Sequence, residues 1–120
     1  MTSRSAGSWG EAKVAAYLRQ KGYTIVAANY RCRFGEIDLI ARDGETLCFV
    51  EVKLRSTFAH GLPREFVTTA KQRRLRTAAA QYLVSHEPGA PVRFDVAEVY
   101  TDAAHTDANT RIEYIENAFE

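Results

Sequence analysis

The chain is predicted to be a single α/β domain, a mixed sheet between helices in the order α-β-β-β-α-β(-β). Three observations predict it. Two strongly β-forming runs flank Asp43-Gly44 within residues 34–55, FGEIDLIARDGETLCFVEVKLR, which is the pattern of a hairpin. A helical stripe then separates the second of those runs from a further apolar run, VRFDVAEVY, at 92–100. That is a βαβ crossover, which makes the flanking strands parallel and the connection right-handed. Finally, 120 residues with 46% hydrophobic and 26% charged side chains suit one globular core.

Taken in order, residues 1–7 are small and polar and read as loosely ordered. Ser8 opens a helix to about Gln20 or Lys21, with Gly22 as its stop. Ser8-Trp9-Gly10-Glu11 has capping-box spacing. Glu11 also shares a helical face with Ala15 and Leu18, so its carboxylate could instead reach toward the sheet. Thr24–Tyr30 reads as the first strand, and Arg31-Cys32-Arg33 as the turn into the hairpin. Arg55–Leu62 has no periodicity and reads as a mobile loop holding His60, a surface residue or a substrate contact. Pro63 opens the long helix to about His86, with Val67, Lys71, Leu75, Ala78, Ala79, Tyr82 and Leu83 inward. Lys71 therefore either snorkels to solvent or turns toward the hairpin. Asp95 reads as an extra acid or a partner for Arg93, and Arg111–Ile115 as a short edge strand.

A loop centred on Asp43-Gly44 sets Arg42 opposite Glu45, Ile40 opposite Leu47, Asp38 opposite Phe49 and Glu36 opposite Glu51. Glu36, Asp38, Glu51 and Lys53 then share one face. Ile37, Leu39 and Ala41 share the other with Thr46, Cys48, Val50 and Val52. Like charges placed opposite each other cost stability, so the acids need a partner. A divalent cation is one, and carboxylate oxygens suit Mg2+ or Mn2+. Lys53 on a solvated face is the other.

The net charge of +1 conceals segregation. Residues 51–76 carry seven basic and two acidic side chains, residues 77–120 two basic and eight acidic ones. A local basic surface suits polyanions. No apolar run approaches a membrane span, and the start lacks a signal peptide's apolar segment. Cys32 and Cys48 have neither zinc-ligand spacing nor the density of a disulfide scaffold, and Cys48 points into the core. A cytoplasmic protein is expected.

Asp38, twelve residues, then Glu51-Val52-Lys53 resembles the D…(D/E)-x-K signature of the PD-(D/E)xK nuclease superfamily, with Ile37 where the pattern has a proline that many members lack. A helical glutamate before the hairpin, Glu11, resembles the archaeal Holliday-junction-resolvase branch. The stretches GEAKVAAYLRQKGY, NYRCRFGEIDLIARDG, FVEVKLR, KQRRLRTAAAQYL and RFDVAEV are similar to the bacterial YraN-like family over nearly the whole chain. The resemblance implies a restriction-endonuclease-like sandwich. It also implies a Mg2+ or Mn2+ held by Asp38, Glu51, the Val52 carbonyl and Glu11, with Lys53 acting on the attacking water. The hairpin register adds Glu36, as a ligand to a second metal, an orienting group or a helper that tunes Lys53. Lys71 is a further candidate, and Arg31, Arg33, Arg55, Lys71 and Arg74 are the expected nucleic-acid contacts.

The expected function is a metal-dependent endonuclease on DNA rather than RNA, on branched or structured DNA, with a homodimer natural for junctions. A nucleic-acid-binding module with little or no catalysis is the rival, and a metal-binding structural protein the third reading.

Overall fold

The computed structural model describes residues 3–59 and 67–120. Its elements are α1 (Ser3–Gln20), β1 (Thr24–Cys32), β2 (Gly35–Asp43), β3 (Thr46–Ser56), α2 (Thr69–His86), β4 (Val92–Thr101) and β5 (Arg111–Phe119). The strands form one sheet in the order β1-β2-β3-β4-β5. β1, β2 and β3 pair antiparallel, and β3 and β4 pair parallel across α2, as expected. β5 returns antiparallel at the edge and runs to Phe119, four residues past the predicted end.

Each helix covers one face of the sheet. Val14, Ala15 and Leu18 of α1 pack with Leu39, Ala41, Cys48, Val50, Ala97 and Val99. Leu75, Ala78, Ala79 and Tyr82 of α2 pack with Ile40, Leu47, Phe49, Phe94 and Val96. Cys48 is fully buried, as its place in the apolar alternation predicts.

Several boundaries differ from the sequence reading. α1 begins at Ser3, so the backbone from there is helical and Ser8 lies within the helix rather than capping it. Glycine within a helix costs about 1 kcal/mol against alanine, and tertiary contact overrides that preference here. A Cβ on Gly10 would stand 3.2 Å from Leu54 Cδ2 and 3.6 Å from Val52 Cγ1, so the bare backbone lets α1 lie close on β3. Alanine at Gly10 needs only a small shift of the half-exposed Leu54 side chain. Leucine there is expected to wedge α1 off the sheet and cost roughly 1–3 kcal/mol in urea unfolding. An unchanged midpoint for Gly10→Leu would show that the helix has slack.

β3 continues to Ser56 and a 3-10 turn covers Thr57–Ala59, where a loop was expected. The strand persists because β4 pairs with it as far as Ser56↔Thr101. α2 starts at Thr69 rather than Pro63. Thr68 is extended and caps it, its side-chain oxygen accepting from Lys71 N–H at 3.2 Å. Pro63 and His60 lie outside the described residues.

The hairpin register is also corrected. Arg42 pairs with Leu47, Ile40 with Phe49 and Asp43 with Thr46, so Gly44 and Glu45 form the loop. Only Gly44 of these two has positive φ, +62°, which fits a turn with glycine at its first central position. Asp43 is kept in the strand, where its Oδ2 accepts from Arg93 Nη1 at 3.2 Å. The slip is two residues, so the faces survive. Glu36 loses its place opposite Glu51 and pairs instead with Arg31 of β1.

Candidate active site

The ladder between β2 and β3 closes at Leu39↔Val50. One step further, Asp38 lies across from Glu51, and no backbone pair joins them. Instead Val52 N–H donates to Asp38 Oδ2 at 2.8 Å. A side-chain oxygen thus takes the place of a ladder carbonyl, and the strands part at this point. The same position is irregular on its other side. Ile37 was expected on the face of Leu39 and Ala41 but packs in the cluster under α2 with Ile40, which strict alternation forbids three residues apart. Across from Asp38, between the pairs Ala28↔Leu39 and Tyr30↔Ile37, Asn29 takes φ +54°. The irregularity is built into both strands, with asparagine at the position that needs the left-handed conformation.

Around that break stand residues from both layers. A cavity of about 180 Å³ is lined by Gly35, Glu36, Asp38, Glu51, Lys71, Arg74 and Leu75. Glu51 is only 5% exposed. Its Oε2 forms an ion pair with Lys71 Nζ, and its charge bears on the neighbouring Asp38. Burial and the neighbouring Glu51 charge push the Asp38 carboxyl up to about 7, against the lowering effect of the Val52 N–H. Glu11 approaches from α1. Its carboxyl is also raised, chiefly by burial, while a hydrogen bond from Asn29 and the charge of Arg31 hold it down and Glu36 pushes it up.

The sequence-predicted residues do not all meet at one place. Asp38, Glu51, Glu36 and Lys71 meet at the cavity with Arg74, and Glu11 comes within electrostatic range of Asp38. Lys53 lies two residues beyond Glu51 and pairs in register with Glu98 of β4, outside the cavity's lining. Arg55 turns inward, its Nε 2.8 Å from Oε2 of the fully buried Glu98. Arg31 stands exposed, 3.7 Å from Glu36, and the Arg33 guanidinium lies over the Phe34 ring at 4.9 Å. Asn29 was missed, although a lone asparagine within an apolar strand is a readable sign of positive φ. Gly35 was missed too. Its open side faces Arg74 Cβ and seats the β1–β2 turn on α2.

Oxygen donors from Asp38 and Glu51 suit a hard divalent cation, and their mutual repulsion gives such an ion a place to act. Among the described residues, no three acidic, cysteine or histidine side chains already converge closely enough to enclose a metal. Asp38, Glu51 and Glu36 line one cavity, and the charges of Glu51 and Glu11 both bear on Asp38.

Residues 10–99, which run from within α1 to within β4 and include every residue lining this cavity, match the model of the uncharacterised protein family UPF0102. The chain belongs to that family. A UPF0102 protein of Symbiobacterium thermophilum is 50% identical over 119 residues, covering 98% of each chain. A UPF0102 protein of Chlorobium chlorochromatii is 48% identical over 94% of this chain and 89% of its own. A third, from Caldicellulosiruptor saccharolyticus, is 40% identical over 99% and 100%. Among the described residues of this UPF0102 chain, no helix is long and apolar enough to cross a membrane.

Proposed function

We propose that this UPF0102 protein is a metal-dependent endonuclease of the PD-(D/E)xK type, hydrolysing phosphodiester bonds in branched or otherwise structured DNA. One observation carries the reading. The strands part so as to hold two carboxylates, Asp38 and Glu51, against each other at a cavity whose opposite wall is basic. A structural role does not explain that cost, because the fold would be sounder with an intact ladder and one acid fewer.

Asp38 and Glu51 would hold Mg2+ or Mn2+, with the Val52 carbonyl and Glu11 completing the donor set. A bound ion supplies positive charge at the phosphate and a water of lowered pKa. The chain's own residues do the rest. Val52 N–H fixes one Asp38 oxygen, Oδ2, and with it the carboxylate that lines the cavity. Arg74 and Lys71 place positive charge on the opposite wall, where a phosphate would be drawn in and oriented. Lys53, further along β3, is the next cation on that strand face and the proposed partner of the attacking water.

A second reading is favoured by the Lys71–Glu51 pair, which already balances one acid: a nucleic-acid-binding module without catalysis. Purified protein incubated with junction, single-stranded and duplex DNA plus Mn2+ separates the two. Cleavage is expected, and Glu51→Gln is expected to lower its rate at least ~100-fold, as removal of a principal transition-state contact does. Tight DNA binding with no metal-dependent product on any substrate would leave the binding module as the function.

A further inference from the structure

The cation held by the acid site is part of the chain itself. Lys71 Nζ meets Glu51 Oε2, and the Glu51 side chain is 6% exposed while that of Lys71 is 42% exposed. The root of Lys71 is fixed, since its N–H is bound by the Thr68 cap in the first turn of α2. Its tip is bound to Glu51. Between them runs a flexible four-carbon stem on a partly exposed side chain, which is the form of a side chain able to leave without disturbing the helix. Arg74 stands one turn further along the same wall and lines the same cavity.

An ammonium and a divalent cation repel each other and both seek the Glu51 carboxylate. We infer that Lys71 is the exchangeable counter-ion of this site: it neutralises Glu51 until a divalent cation binds, and is then released beside Arg74 to meet a substrate phosphate. The inference rests on the proposed metal site and adds a coupling to it. Metal loading frees a phosphate ligand, and phosphate capture of Lys71 favours metal loading in return, as linkage requires.

Calorimetric titration of Mn2+ into the metal-free full chain tests this without reference to turnover. Lys71→Met removes the competing charge and keeps most of the side chain's bulk, so it is expected to bind Mn2+ about tenfold more tightly than the parent. Lys71→Arg keeps the charge and is expected to stay near the parent affinity. In parallel, a short single-stranded DNA is expected to bind the parent more tightly with Mn2+ than without, and Lys71→Met is expected to lose most of that gain. Thermal unfolding confirms that both variants are folded. If the parent binds Mn2+ and Lys71→Met binds it equally or less well, the exchange is overturned and the metal site stands. If neither protein binds Mn2+, the metal reading falls and takes the exchange with it.

Discussion

Replacing Asp38 with asparagine is expected to make the metal-free protein more stable above about pH 7, not less. The Asp38 carboxyl is ordinarily ionised above 3.8 and is raised to about 7 in the fold by burial and by Glu51. A group whose folded pKa is raised contributes stability that is fully present below the unfolded value and is lost as pH rises through the folded value. The parent protein should therefore weaken between about pH 4 and pH 8 by on the order of 1–3 kcal/mol from this site. Asparagine removes that slope. Its oxygen can still accept from Val52 N–H, and its amide can donate to Glu51 where the acid form supplies a proton. Thermal unfolding in chelator at pH 5 and pH 8 reads the difference, expected to be on the order of 5 °C in favour of Asp38→Asn at the higher pH. Mn2+ should then stabilise the parent and leave the variant unmoved. Equal pH slopes for the two proteins would mean that the carboxylates do not repel each other as their placement indicates.

Such a gain from a single substitution marks an acid kept for chemistry rather than for the fold. That distinction was partly legible in the sequence. The side-chain period of a strand is two, so the two-residue slip in the hairpin left Asp38 and Glu51 on the face where alternation placed them. The antiparallel β2–β3 hairpin, the parallel β3–β4 pair and the buried Cys48 followed from the same patterns. What periodicity could not show was the break in the ladder. It depends on Asn29 and Asp38 facing each other across two strands, and nothing local in either strand announces that meeting. Lys71 lay on the inward stripe of its helix, but its reach was set by Thr68, which starts the helix several residues later than Pro63 suggested. Lys53 was placed beside the acids by motif and face. It does not line the cavity, and its backbone pairs with Glu98 of β4.

Asp95 supplies the opposite case, and its replacement by asparagine is expected to be the most damaging of these changes. The two aspartates have similar backbone settings. Asp95 sits where the β4–β5 register shifts, near Asn117 at φ +52°, and accepts from Asn117 N–H at 2.8 Å. Asp38 sits at the β2–β3 break near Asn29 and accepts from Val52 N–H at 2.8 Å. Their charge partners differ. Asp95 is fully buried and receives Arg93 Nε and Nη2, each at 3.0 Å, and the Tyr114 hydroxyl at 2.5 Å. Arg93 also donates to the Tyr23 hydroxyl and to Asp43 Oδ2, so the Arg93–Asp95 pair ties β2, β4 and β5 to the segment between α1 and β1. Asparagine there leaves a largely buried guanidinium without its main counter-charge, and breaking such a pair costs about 3 kcal/mol. The midpoint of thermal unfolding should fall by about 10 °C or more at every pH from 5 to 8. Because the lost partner is a permanent cation rather than a repelling acid, added Mn2+ should not restore it. The same chemical change, carboxylate to amide, thus stabilises at Asp38 and destabilises at Asp95. An acid with a built-in arginine belongs to the architecture, and an acid set against another acid, beside a lysine that can leave, belongs to the site.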